Sequence, residues 1–137
     1  MRNKQKIISV LKKHFSGLQA VYLFGSIAAH DEHPGSDVDI AVLLSPDQSG
    51  LIEPAYFFDV RCELEKVLNK NADLINLRKV NTVLQKEVIT NGKRIYCPDE
   101  YAAEEFEMLV YSAYQKLSRE RAGIVDEIIK SSRVLRA

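Results

Sequence analysis

The stretch Phe24-Gly-Ser-Ile-Ala-Ala-His-Asp-Glu-His-Pro-Gly-Ser-Asp-Val-Asp-Ile-Ala-Val42 decides how this chain is read. It opens with Gly25-Ser26, which sharply breaks a short apolar run, Leu18 to Phe24, rich in strand formers. It closes with Asp37 to Leu44 (DVDIAVLL), where two carboxylates lead into a continuous apolar segment of the kind found in a buried central strand. Side chains alternate across a strand, so Asp37 and Asp39 leave on one side while Val38 and Ile40 leave on the other. Two like charges so placed repel and favour a cation between them. Hard Mg²⁺ suits such a pair, because it takes a few carboxylates and completes its shell with water and phosphate oxygens. A glycine at a strand end lets backbone amides come close to an anion. A short helix starting at Ser26 would aim N–H groups and a hydroxyl at the same phosphate.

Working outward, Lys4 to Phe15 sets Ile7, Ile8, Leu11 and Phe15 at helical spacing among lysines and predicts an amphipathic helix that Gly17 ends. Ser45-Pro46-Asp47 stops the second strand. Glu53 to Asn69 carries Ala55, Phe58, Cys62, Leu64, Val67 and Leu68 as a helical stripe. Ala72 to Leu77 predicts a third strand, whose Asp73 would aim a third carboxylate at the first two; a strand-start aspartate also serves to cap turns. Asn81 to Thr90 predicts a helix closed by Asn91-Gly92, where positive φ is wanted. Arg94 to Tyr96 is a short edge strand. From Asp99, an N-cap, a long helix follows, and Gly123 is expected to kink or end it before a last helix from Ile124 to Leu135. Helices and strands interleave, so the fold class is α/β (α+β): a small mixed sheet of about four strands flanked by helices. The 137 residues fit one domain, 1–137, with 99–137 as a C-terminal helical extension.

Nineteen basic and nineteen acidic residues cancel, so the general pull toward nucleic acid or anionic membrane is missing and no direct nucleic-acid binding is expected. Apolar runs fall well short of the ~20 residues of a membrane helix. The basic start is interrupted at Lys12 and Lys13 and lacks a cleavage site, which reads as a cytoplasmic chain. Cys62 and Cys97 have neither metal-ligand nor disulfide spacing.

Gly25-Ser26, Asp37-x-Asp39 and Asp73 together resemble the DNA polymerase β-type nucleotidyltransferases. The likeness is closest to the minimal nucleotidyltransferase antitoxins that pair with HEPN-domain toxins, and it covers about Val21 to Tyr96. It implies that Gly25 and Ser26, with Ser36, bind nucleotide phosphates. It also implies that Asp37, Asp39 and Asp73 are catalytic and hold Mg²⁺. The implied activity is transfer of AMP from ATP to a tyrosine hydroxyl of a cognate HEPN ribonuclease toxin. One departure stands out: relatives often carry Ala-Arg-Gly where this chain has Ala28-Ala29-His30, leaving His30, Arg78 or Lys79 as substitutes for the arginine. The rival readings are a non-catalytic antitoxin that covers its toxin and a small-molecule nucleotidyltransferase. Elsewhere, His30 and His33 read as solvated loop residues and His14 needs no role. Tyr101, Tyr111 and Tyr114 read as packing residues, and Lys116 to Arg121 as a solvated face. The segment from Glu100 onward is the expected docking surface.

Overall fold

Two antiparallel strands, β1 (Leu18–Phe24) and β2 (Val38–Leu44), form the centre of a four-stranded sheet. The computed structural model describes residues 2–25 and 37–136, with side chains described for 3–25 and 37–130. After β2 come α2 (Pro46–Leu51), α3 (Pro54–Leu68) and β3 (Ala72–Asn76), which lies parallel to β2. Then α4 (Thr82–Asn91) leads to β4 (Lys93–Tyr96), antiparallel to β1, and α5 (Glu100–Arg136) follows. Helix α1 (Arg2–His14) precedes β1, and the strand order is β3-β2-β1-β4.

The alternation of β2 divides the interior in two. Val38, Ile40, Val42 and Leu44 pack with Ile7, Val10 and Leu11 of α1 and Val60 and Leu64 of α3. Ala41 and Leu43 point the other way, against Val88 and Ile89 of α4 and Ala103, Phe106 and Val110 of α5. A strand covered on both faces has no need for polar alternation, which is why its sequence is apolar throughout. On α3 the buried stripe is Val60, Leu64 and Leu68, supported by Phe57, while Phe58 and Val67, expected inside, are exposed. The real stripe keeps strict spacing of four, which Phe58 does not share.

One local expectation is extended and two are corrected. Ser45-Pro46 does not only stop β2: the Ser45 hydroxyl accepts from the Gln48 amide (3.4 Å) and Pro46 occupies the first turn, so the pair starts α2. Gly92 sits at φ −80°, not positive φ; glycine is required because a Cβ would run into the Val88 and Leu23 carbonyl oxygens. Helix α5 runs through Gly123 without interruption. Its start is as expected, with the Asp99 carboxylate accepting from the Ala102 amide at 3.1 Å. Tyr111 and Tyr114 meet α4, through the Thr90 hydroxyl and the Lys86 ammonium, whereas Tyr101 is 77% exposed.

His14 has a structural role that its sequence position hid. Its ring bridges α1 to α3, with Nε2 2.9 Å from Glu63 Oε2 and Nδ1 2.9 Å from the Tyr56 hydroxyl, while Lys13 reaches the other Glu63 oxygen at 3.1 Å. Those contacts hold the Glu63 carboxyl below its ordinary range. No helix among the described residues is long and apolar enough to cross a membrane.

Leu64, fully buried between α3 and the sheet, leaves a cavity when truncated. Leu64→Ala is expected to cost about 2–5 kcal/mol in denaturant unfolding. Asn81→Ala, which removes the cap that accepts from the Leu84 amide, should cost about 1 kcal/mol.

Candidate active site

Gly25 ends β1 in a left-handed turn at φ +75°, a conformation that side chains other than glycine rarely adopt. A second constraint acts on the same position. A Cβ here would collide with the Asp39 carboxylate, so the turn and the aspartate are in direct register. The cause is the pairing of the central strands: Phe24 lies opposite Asp39, and the next residue folds back over it.

Asp39 also has a neighbour on its other side. In the parallel β2–β3 ladder its partner is Asp73, and paired residues of adjacent strands share a face at about 5 Å spacing. Their face is that of Ala41, Leu43 and Ile75, the side covered farther along by α4 and α5. Asp37 lies just before β2, exposed, next to the Val38 amide that bonds to the Asn71 carbonyl at 2.9 Å. The three aspartates and Gly25 therefore meet at one end of the sheet. Ser26, Ser36 and His30 lie outside the described residues.

Asp39 carries the electrostatic strain of this arrangement. Burial comes first, followed by the charges of Asp73 and Asp37, and together they raise its carboxyl above the ordinary aspartate range. Asp73 is exposed, and one of its oxygens accepts from the Leu74 amide at 3.1 Å. Among the described residues no three His, Cys, Asp or Glu side chains form a ready-made metal cage. Mg²⁺ seldom uses one, since it keeps several waters and binds through a carboxylate or two plus phosphate. A half-buried carboxylate held against two like charges fits such an ion.

Arg78 does not replace the missing arginine. Its guanidinium donates to the Leu44 carbonyl at 2.6 Å and the Gln19 side chain at 2.8 Å, over the Phe106 ring. Leu44 is five residues beyond Asp39, about 17 Å along the strand. Lys79 lies by Ser49 and Asn76, the latter at the far end of β3. Phe24, half-buried and sharing the Asp39 face, was not singled out by sequence; only the strand register marks it as a wall of the site.

Because the native Asp39 carboxyl holds its proton to higher pH than in the unfolded chain, the native state loses stability as pH rises through that window. Asp39→Asn removes the penalty. In metal-free buffer the variant is expected to melt above the parent at neutral pH, with the gap closing once pH falls below the carboxylate range. A gap independent of pH in thermal melts would contradict this.

Comparisons with known proteins agree with this geometry. Residues 5–101 match the family model described as polymerase beta, nucleotidyltransferase. Over 130 residues, 95% of this chain and 90% of the relative, the sequence is 33% identical to protein adenylyltransferase MntA of Shewanella oneidensis. A crystal structure of a toxin-antitoxin with AMP-PNP superposes with a TM-score of 0.80 at 34% identity, covering 93% of this chain and 98% of that one. The MNT antitoxin complexed with the tri-AMPylated HEPN toxin of Shewanella oneidensis gives 0.74 at 32% identity, covering 93% of this chain and 96% of the other. By that match over most of its length and its likeness to an adenylyltransferase, the chain belongs to the polymerase β-type nucleotidyltransferase family.

Proposed function

We propose that the chain is the antitoxin of a toxin–antitoxin pair and acts as a Mg²⁺-dependent protein adenylyltransferase, moving AMP from ATP to a tyrosine hydroxyl of a cognate HEPN ribonuclease toxin and so silencing it. The observation that carries the reading is the convergence of Gly25, Asp39 and Asp73 at one sheet end. The likeness to an adenylyltransferase over 95% of the chain supports the choice of reaction and acceptor.

In this reading the tyrosine oxygen attacks the α-phosphorus of ATP, the bond from that phosphorus to the bridging oxygen of the β-phosphate breaks, and pyrophosphate leaves. Gly25, having no side chain, leaves the turn open to the phosphates, and Ser26 and Ser36 join it in holding them. Asp37, Asp39 and Asp73 would hold Mg²⁺, which supplies positive charge against the phosphate oxygens. Asp73, exposed on its strand, takes the proton of the attacking hydroxyl.

Purified chain, the HEPN toxin, Mg²⁺ and ATP labelled on its α-phosphate are expected to give labelled toxin, and chelation should abolish the label. Asp39→Asn is expected to lower transfer at least about a hundredfold. Gly25→Ala, which pushes a methyl group against Asp39, should lower it too. If Asp39→Asn still neutralises the toxin in cells, the chain acts by covering it. Label passing to a small hydroxyl compound and never to the toxin would overturn the protein acceptor.

A further inference from the structure

The side chains that join α1 to α3 stand in the order that activates a nucleophile. His14 Nε2 lies 2.9 Å from Glu63 Oε2, and on the other side of the ring Nδ1 lies 2.9 Å from the Tyr56 hydroxyl. A carboxylate only accepts, so Nε2 carries the proton between them. In the neutral ring Nδ1 is then left as an acceptor facing the hydroxyl. The Glu63 carboxyl is held below its ordinary range, first by the bond to His14 and then by that to Lys13, so it stays a carboxylate. The hydroxyl also approaches the His14 carbonyl, but at 3.3 Å, longer than a hydroxyl donor prefers, which leaves Nδ1 the better partner. A hydroxyl, a base within hydrogen-bond reach and a third group orienting that base make up the general pattern of an activated oxygen nucleophile.

Tyr56 is also fixed and reachable. Its ring packs edge-on against those of His14 and Phe15, at 5.7 and 6.0 Å between centroids, and the residue is 39% exposed. It stands at the wrong end of the sheet to meet its own aspartates. His14 ends α1 just before Gly17, whose carbonyl accepts from the Ser45 amide at 2.8 Å, beyond the last residue of β2. That is about 20 Å along the strand from Asp39. Only the aspartates of a second copy can be brought to this hydroxyl.

We infer that Tyr56 is itself an acceptor of AMP, modified by a second copy of the chain, with His14 as the base that takes its proton; this rests on the adenylyltransferase reading above. The Tyr56 oxygen bonds to the α-phosphorus of ATP held by the other copy, the bond from that phosphorus to the bridging oxygen of the β-phosphate breaks, and pyrophosphate leaves. The hydroxyl proton passes to His14 Nδ1, and the imidazolium so formed faces the Glu63 carboxylate.

The test mixes two full-length variants with Mg²⁺ and ATP labelled on its α-phosphate. Tyr56→Phe can transfer but lacks the acceptor, and Asp39→Asn keeps the acceptor but cannot transfer. Label is expected on the Asp39→Asn chain, in the peptide that holds Tyr56, while Tyr56→Phe labels the HEPN toxin as the parent does. Adding His14→Ala to the Asp39→Asn chain should lower its labelling about a hundredfold, and free imidazole should restore it, which a residue that only braced two helices would not allow. Toxin labelled while the Asp39→Asn chain is not overturns the site and leaves the adenylyltransferase reading standing. Label on Tyr101, the more exposed tyrosine at 77%, in place of Tyr56 also overturns it, because exposure alone would then choose the acceptor. Labelling undiminished by His14→Ala, or lost and not restored by imidazole, overturns His14 as the base. Label on neither chain nor toxin overturns the adenylyltransferase reading and this site with it.

Discussion

The parallel pairing of β2 with β3 places Asp39 beside Asp73, and the rest of the site depends on that register. A slip of one residue would turn one carboxylate into the packed α1 and α3 layer. Two structures hold the register. Leu74 and Ala72 are anchored in that layer with Ile40 and Val42, and the Leu77 amide bonds to the Val42 carbonyl at 3.0 Å just past the end of β3. The hydrophobic pattern that stabilises the sheet is thus the device that brings two mutually repelling groups together. Folding supplies the work of assembly, and a bound cation would recover part of it.

The end of the sheet is shaped as much by exclusion as by contact. Position 25 is a glycine because Asp39 occupies the space a side chain would need. Arg78, by contrast, is committed to the far end, where it closes the sheet against α5 by satisfying the Leu44 carbonyl and stacking on Phe106. The division leaves one end for chemistry and the other for cohesion.

Strand positions were legible in the sequence because a run such as Asp37 to Leu44 is apolar for longer than a turn allows yet too short for a buried helix. The common side of Asp37 and Asp39 followed from alternation alone. A third strand bringing Asp73 to them was expected too, but not its exact pairing with Asp39, since register between strands far apart in sequence is decided by packing. The reason for Gly25 was likewise hidden in a neighbour fourteen positions away. Gly123 was misread because one glycine costs a helix only about 1 kcal/mol, too little to break it. Pro46 was rightly read as ending β2, but its opening of α2 was missed, because proline both stops strands and opens helices. On α3, Phe58 was counted as core for its hydrophobicity, although the neighbouring Phe57 faces the sheet.

Among the described residues β3 is an outer strand, five residues long, with Asp73 exposed upon it. An outer strand offers unpaired backbone groups to any extended chain that passes, and shortness and charge are the ordinary protections against such recruitment. The exposed carboxylate of Asp73 and the shortness of β3 are protections of that kind. A neutral side chain in its place would leave the edge of the sheet more adhesive, whatever the site does.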